Sequence, residues 1–593
     1  MSAGVAATVR RVRDALAAAG AELAPDAVDP SEPGSTLVVD PAAWYAAQPA
    51  PPSAARLART VALSLAPYGS AVLQDDAEAG RGMAGIAHPD ARSAQHLHRL
   101  GCRATHVPLG CRAGDVIEPG HRPLELLTFG PSSQRRLRAV ASGAEWFDHL
   151  RCAHRFDEEL PAGDPADHPL SAAHVLLDIA AGDEPVPDPV LLLEASEAGA
   201  AVATERLDEW PGGEIAEQLV RAPLPALFAQ AQALALEPGR AAALAAAARA
   251  LLAAAFPLEV MGSTLAGLLA DSASPGATFA MPGHRPQLSR HAEPAAPPPT
   301  VLQILEQERR RPDAAVRDGV RQLLAGVRQL DRRVERIEQG GAPDGIEVLL
   351  AATLPPAVSV SVLIPAFNAR RVVAGALDSV HAAAGENDAP MLEIVLVDDA
   401  SPQDDGAAVV EWAAAHPDLP VTVLRHRCNR GLAQARNTAM EHATGDLFLP
   451  LDADNALRPR GLRRLLDGLD AEPDAAFAYG LLQEFDTGGP VGLRGLYPWD
   501  PARLRRGNYI DALSLIRSDV LLNAGGYATD MPEQGYEDWD LWCRFVEGGA
   551  TGVWVPEIVA SYRIRADSMS AALHLSHLGP LADMVVRHPD TLG

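Results

Sequence analysis

The sequence predicts an α/β protein, and three observations carry that reading. Short apolar runs of strand length alternate with helix-patterned segments from about Ala357 onward. The runs are nearly continuous in Val, Ile and Leu, the signature of strands covered on both faces of a largely parallel sheet. Several of them end abruptly in carboxylates, and the carboxyl ends of strands are where ligands sit in such sheets.

The elements run in order. "VSVSVLIP" (358–365) reads as a first strand, and "RRVVAGALDSVHAAA" (370–384) as a helix with one apolar face. "EIVLVDD" (393–399) and "VTVLRH" (421–426) are the second and third strands. "LAQARNTAMEHA" (432–443) is helical, and "LFLPL" (447–451) is the fourth strand. Asp398 and Asp399 close the second strand, and Asp452 and Asp454 come just after the fourth.

Length and composition bound the rest. The 593 residues suit several domains, and 48% hydrophobic with 21% charged residues is ordinary globular material. Fifty Lys and Arg against 77 Asp and Glu give a formal charge of -27, which argues against a nucleic-acid partner. The five cysteines include no C-x-x-C pair, so no zinc site or disulfide framework is expected. "MSAGVAATVRRVRDAL" lacks the apolar core of a secretory signal. The most apolar stretch, "AAALAAAARALLAAAF" (241–256), is broken by Arg249 and reads as an Ala-rich helix, not a membrane span. A cytoplasmic location with no transmembrane segment is expected.

Composition shifts divide the chain into an N-terminal α/β module (1–272), a Pro/Ala-rich linker (273–300), an amphipathic helix (301–340) and a C-terminal α/β domain (350–593). Within 301–340, Val316, Val320, Leu323, Val327, Leu330, Val334 and Ile337 form a heptad pattern with Val at a and mostly Leu at d, while Gly319 and Gly326 weaken the helix. A parallel homodimeric coiled coil and a single helix docked on its own chain both fit this pattern.

Two carboxylates flanking Ala453 repel one another unless something positive lies between them. Asp452 and Asp454 offer hard oxygen ligands suited to Mg2+ or Mn2+, which favour a few carboxylates plus substrate phosphates. The alternative is a plain turn with Asn455 as a helix cap. Glu537, Asp538 and Asp540 open a helix, where acidic residues also favour the helix dipole. Trp539 and Trp542 fit core packing or a sugar-stacking face.

The ordered series "LIPAFNA" (363–369), "VDDASPQD" (397–404), "NRGLAQARN" (429–437), "LPLDADN" (449–455) and "GYEDWDLWCR" (535–544) resembles the family 2 inverting glycosyltransferases of GT-A fold, over roughly residues 357–570. The resemblance implies a sugar transferred from a nucleotide-diphosphate donor to a hydroxyl on a glycan, lipid-linked or protein acceptor. It implies that Pro365, Phe367, Asp398 and Asp399 serve the nucleotide, with Asp399 accepting from the base. It places Arg436 near the donor sugar or diphosphate, gives Asp452 and Asp454 to Mn2+ or Mg2+, and makes Asp538 the general base. "YRIRADSMS" (562–570) departs from the family by putting Arg565 where a His often stands. An Arg can clamp phosphate but cannot ligate a metal. No Q-x-x-R-W motif marks a processive synthase. The alternative function is an inactive nucleotide-sugar-binding scaffold.

In the first half, "HVPLGCRAGD" (106–115), "LELLTFGPSSQRRLRAV" (124–140), "HVLLDIA" (174–180) and "LLLEASEAGAAVATE" (191–205) resemble part of a GT-B-type, spore-maturation-like glycosyltransferase with Rossmann-like lobes. Glu194 matches the residue that would bind donor ribose, but Leu191 stands where that family has Arg. Leu191, and the short segment before His106, favour a degenerate module that binds a partner or acceptor over a second active enzyme. His106, His121 and His174 show no metal-like spacing.

Overall fold

In the computed structural model, the residues described are 5–273 except 20–35, 42–56, 66–70, 82, 90, 110, 112–121, 131, 159–167, 181–188 and 206–212, then 345–564 except 355–357, 387–388 and 532–534, and 578–592. The linker, the heptad helix, His121 and Arg565 lie outside them. Two compact units emerge: Met1–Arg136 with Leu150–Pro297, and Leu137–His149 with Pro298–Gly593.

The first unit contains two sheets, each parallel throughout. One runs Thr36–Val39, Thr60–Leu63, Gly85–His88, Ala104–His106 in spatial order. The other runs Cys152–Phe156, Leu124–Gly130, Ala173–Asp178, Ala201–Thr204, Val220–Arg221. That second–first–third–fourth–fifth order belongs to doubly wound sheets. The Ala-rich stretch forms the helix Pro238–Ala255, which buries Ala241, Ala245, Ala248 and Leu252 as one stripe at helical spacing. The helix Val5–Ala18 packs against Leu258–Ala273 so closely that a Cβ on Gly262 would lie 1.8 Å from the Ala15 carbonyl oxygen. Glu194 is fully buried, and both of its oxygens face arginines, Arg10 and Arg11. Both of its oxygens are thus engaged by cations of the unit itself.

The second unit is built on one sheet. Its spatial order is Ile346–Leu350, Val421–His426, Leu392–Asp398, Val360–Ala366, Leu447–Pro450, Leu515–Arg517, Phe477–Asp486, Gly552–Arg563, Ala456–Leu457, with Gly489–Arg494 paired on Phe477–Asp486. The four strands anticipated from the sequence lie side by side and parallel, in the order third–second–first–fourth, and Phe477–Asp486 also pairs in parallel with Gly552–Arg563. The sheet as a whole is mixed and not mostly parallel, which corrects the expectation. Leu447–Pro450 pairs antiparallel with Leu515–Arg517, and Phe477–Asp486 turns back through a hairpin onto Gly489–Arg494. Helices Gly461–Ala471 and Glu537–Glu547 precede Phe477–Asp486 and Gly552–Arg563, so strand–helix alternation alone does not tell which of these strands pair antiparallel.

Burial explains why the parallel core forms. Val360, Val362, Ile364, Ile394, Leu396, Val421, Val423 and Leu449 are 0–3% exposed. The helix Val373–Ala384 covers one face with Val373, Ala376, Leu377, Val380 and Ala383. Each large apolar side chain buried this way contributes about 1.5–3 kcal/mol. The strand ends therefore form a fixed rim on which the acidic residues stand.

Candidate active site

The rim begins with two strained turns. Asn368, just past Val360–Ala366, and Ala400, just past Leu392–Asp398, have φ of 56° and 60°. A residue with a Cβ pays about 1–2 kcal/mol for that conformation, so surrounding bonds must hold it. Asp405 supplies several: its carboxylate accepts from the backbone N–H of Ala369 (2.6 Å) and Arg370 (3.1 Å) and from the Ser401 hydroxyl (2.8 Å). The first two motif loops are thereby tied together.

Pro365 is buried within its strand, while Phe367 is 48% exposed beyond it. Asp398 is fully buried and accepts from Ser401 N (2.8 Å) and Gly406 N (3.1 Å), so its carboxylate shapes the loop. Asp399 accepts from Arg430 N and Gly431 N, each at 2.8 Å, at the start of helix Leu432–His442. Its Oδ1 also lies 2.6 Å from Nδ1 of the buried His426, whose Nε2 is 2.9 Å from the Thr438 hydroxyl. A carboxylate has about four acceptor positions, and three are taken here.

Arg436 is the centre of the arrangement. It is 2% exposed, donates NH2 to Asp452 Oδ1 at 2.8 Å and NH1 to Glu537 Oε1 at 2.9 Å, and lies over the Tyr527 ring. Burial works against its charge, but the Asp452 and Glu537 carboxylates outweigh that and raise its pKa. The repulsion between Asp452 and Asp454 is thus offset, within the protein itself, by a guanidinium on one of them.

Asp454 is half-buried and its carbonyl accepts from Arg563 Nε at 3.4 Å. Asn455 accepts from Arg563 N at 2.9 Å, so it pins the turn to the strand Gly552–Arg563. Among the described residues no group of three or more His, Cys, Asp or Glu converges on a metal position. Two carboxylates on a strand rim still fit a hard divalent cation whose other ligands are phosphate and water oxygens.

Asp538 lies in the first turn of the helix Glu537–Glu547. Its Oδ2 accepts from Asn508 Nδ2 (2.9 Å) and its Oδ1 from the Trp539 N–H (2.8 Å). Burial first, then Glu537 and Asp511, push its pKa up to about 8, against the pull of Arg436. A carboxyl poised near neutral pH is suited to proton transfer. Trp539 and Trp542 are 1% and 0% exposed, and Trp542 Nε1 donates to the Ile510 carbonyl, so both pack the core.

The structure therefore gathers Asp452, Arg436, Glu537 and Asp538 in one place and leaves Asp398 as scaffold. Sequence reasoning missed His426, Asn508, Asp405 and the bridging role of Glu537. Only Glu537 and Asp405 carried a signal, as acids beside motif residues; the pairing of Asn508 with Asp538 spans 30 positions.

Residues 361–526 match the family model described as glycosyl transferase family 2. The chain is 28% identical over 246 residues to the succinoglycan biosynthesis protein ExoO of Rhizobium meliloti, covering 38% of this chain and 67% of that protein. It is 33% identical over 165 residues to the polyprenol monophosphomannose synthase of Mycolicibacterium smegmatis, covering 27% of this chain and 55% of that protein. Among solved structures, the mannosyltransferase PcManGT from Pyrobaculum calidifontis is 22% identical with a TM-score of 0.31, covering 44% of this chain and 71% of that one. Staphylococcus aureus TarS is 18% identical with a TM-score of 0.30, covering 36% of this chain and 61% of that one. The family match lies wholly within the C-terminal unit, which resembles the family 2 glycosyltransferases and carries the glycosyltransferase enzyme function of this chain.

Proposed function

We propose that the C-terminal unit moves a sugar from a nucleotide-diphosphate donor to an acceptor hydroxyl with inversion, one sugar per encounter. The observation that carries this reading is the Arg436 bridge, which joins Asp452 of "DADN" to Glu537, the neighbour of Asp538. A diphosphate end and a base end then share one site.

In this reading Phe367 and Pro365 give the base an apolar wall, and Asp399, oriented by His426, accepts from a base N–H on its remaining lone pair. Asp398 and Asp405 hold the loops that carry those contacts. Asp452 and Asp454 would hold Mn2+ or Mg2+, which when bound supplies positive charge to a departing diphosphate. Arg565 serves the same phosphates as a cation. Asp538 takes the proton of the acceptor hydroxyl as its oxygen attacks the anomeric carbon. The bond to the diphosphate oxygen breaks on the opposite face, and the anomeric centre inverts. Asn508 steadies the carboxylate form of Asp538 through its side-chain N–H.

The N-terminal unit we read as a degenerate GT-B-like module for a partner or acceptor. Its two parallel sheets support a Rossmann-like ancestry, and the burial of Glu194 against Arg10 and Arg11 speaks against a donor-ribose site there.

A nucleotide-sugar hydrolysis and transfer panel, with and without Mn2+, tests the assignment on the full chain. Wild type should turn over at least one donor with metal stimulation, and Asp454→Asn should lose that stimulation while keeping its fold. Asp538→Asn should lower kcat by about two to four orders of magnitude with donor affinity little changed. Equal rates for Asp538→Asn and wild type would sink the base assignment.

A further inference from the structure

Tyr527 sits in the segment Ala524–Gly525–Gly526–Tyr527, between the helix Ser518–Asn523 and the helix that carries Asp538. Gly525 and Gly526 both have positive φ, 80° and 72°, and a Cβ on Gly526 would come within 2.5 Å of Asn437 Oδ1. The close approach serves a clamp. Asn437 Oδ1 accepts from Tyr527 N at 2.8 Å, and Asn437 Nδ2 donates to the Tyr527 carbonyl at 2.8 Å. Asn437 is the neighbour of Arg436 on one helix, and the Arg436 guanidinium lies 5.3 Å from the centroid of the Tyr527 ring. Backbone and ring are both fixed.

The hydroxyl is the anomaly. Tyr527 is 2% exposed, yet its Oη has no hydrogen-bond partner among the described residues. Leaving a buried hydroxyl unpaired is destabilising, and Phe would fill the same space without that cost. Burial, more than its neighbours, pushes the phenol pKa up, so the group stays protonated and can donate. The charges that bear on it are Arg436, Asp538, Glu537 and Asp452, the members of the proposed reaction site.

We propose that the Tyr527 hydroxyl is a specificity contact that donates a hydrogen bond to a hydroxyl of the transferred sugar. This rests on the glycosyl-transfer reading above. In that reaction the anomeric carbon is bonded to the diphosphate at the Asp452 end and attacked by the acceptor oxygen at the Asp538 end. The sugar ring must lie between those two carboxylates, beside Arg436, which bonds Asp452 and carries the Tyr527 ring against it.

The test compares full-length wild type, Tyr527→Phe and Asp538→Asn. The probe is the nucleotide sugar that wild type hydrolyses fastest in the absence of acceptor, together with its monodeoxy-sugar analogues. Tyr527→Phe should lower kcat/KM about tenfold, the size of one lost hydrogen bond with its partner stranded. Its melting temperature should rise by about 2 °C, because an orphaned polar group has been removed. One monodeoxy donor should be turned over equally by wild type and Tyr527→Phe, since the contact is already missing from the ligand. Unchanged kcat/KM for Tyr527→Phe would overturn the proposal. So would a loss accompanied by a lower melting temperature, which marks a structural hydroxyl, or a loss that no deoxy analogue abolishes. If Asp538→Asn matches wild type, the transfer reading itself fails and this contact falls with it. If Asp538→Asn is inactive while Tyr527→Phe is unaltered, only this contact falls.

Discussion

Asp538 shows how one side chain acquires its chemistry from neighbours the sequence does not display. The "EDWD" motif marks it, but its pKa of about 8 comes from burial and from the negative charges of Glu537 and Asp511. For a base that must be deprotonated to act, kcat/KM should rise with unit slope below pH 8 and level off above it. Asn508→Leu removes a hydrogen bond to the charged form, so the limb should move to higher pH. A pH–rate profile on both proteins checks this; a limb below pH 6 in wild type would rule out the raised carboxyl. The acidic pair at 452 and 454 behaves in the same way. The sequence poses the repulsion, and Arg436, 16 positions upstream of Asp452, offsets it.

At the scale of the element, the helix Glu537–Glu547 is held at several points. Glu537 binds Arg436 and accepts from Gly535 N at 2.7 Å. Asp540 accepts from Arg544 Nε (2.8 Å) and faces His588 Nε2 (3.0 Å), while His588 Nδ1 faces Glu547 (2.9 Å). Both ring nitrogens of His588 meet carboxylates, so the imidazolium is the form that satisfies the site. Burial alone would lower its pKa, but the bonds to Asp540 and Glu547 outweigh burial and raise it. Arg587 and Asp583 beside it, and Asp530 against Arg587, complete the charges on this face. A raised folded pKa means that the stabilisation is complete below the unfolded value of about 6.5 and is lost as pH rises through the folded one. His588→Gln should therefore destabilise by roughly 1–3 kcal/mol at pH 6 and by much less at pH 9. Denaturant midpoints at the two pH values decide it; an equal loss at both would show that the His588 charge contributes nothing.

At the scale of the whole molecule, the second unit is not one continuous stretch of sequence. Leu137–His149 belongs to it, with Asp148 paired to Arg458, the carbonyls of Phe147 and Asp148 accepting from Arg464, and the Ala141 carbonyl accepting from Gln483 at 2.7 Å. Every described residue assigned to donor or acceptor lies after residue 345. A chain limited to residues 345–593 should therefore turn over donor. It should also melt at least about 5 °C below the full chain, because Arg458 loses Asp148 and Arg464 loses the Phe147 and Asp148 carbonyls. Turnover and calorimetry on the two proteins check both halves. An inactive but folded fragment would show that catalysis needs the first 344 residues. No helix among the described residues is long and apolar enough to cross a membrane.

The sequence by itself determined the α/β class, four adjacent parallel strands of the C-terminal sheet and the positions of its acids. Those are local properties: unbroken Val, Ile and Leu runs form buried strands, and carboxylates mark where the runs stop. It also marked Asp538, through its place in an ordered set of motifs. Only the tertiary structure decided the rest of the sheet, where parallel and antiparallel pairs join strands out of sequence order. It alone gave Asp399 to His426, Asp538 to Asn508 and Glu194 to Arg10 and Arg11. The Arg436–Glu537 bond spans 101 positions and the Arg11–Glu194 pair 183. Side-chain periodicity reports on the few residues to either side, and charge pairing across such distances becomes defined only when packing brings the partners into one low-dielectric place.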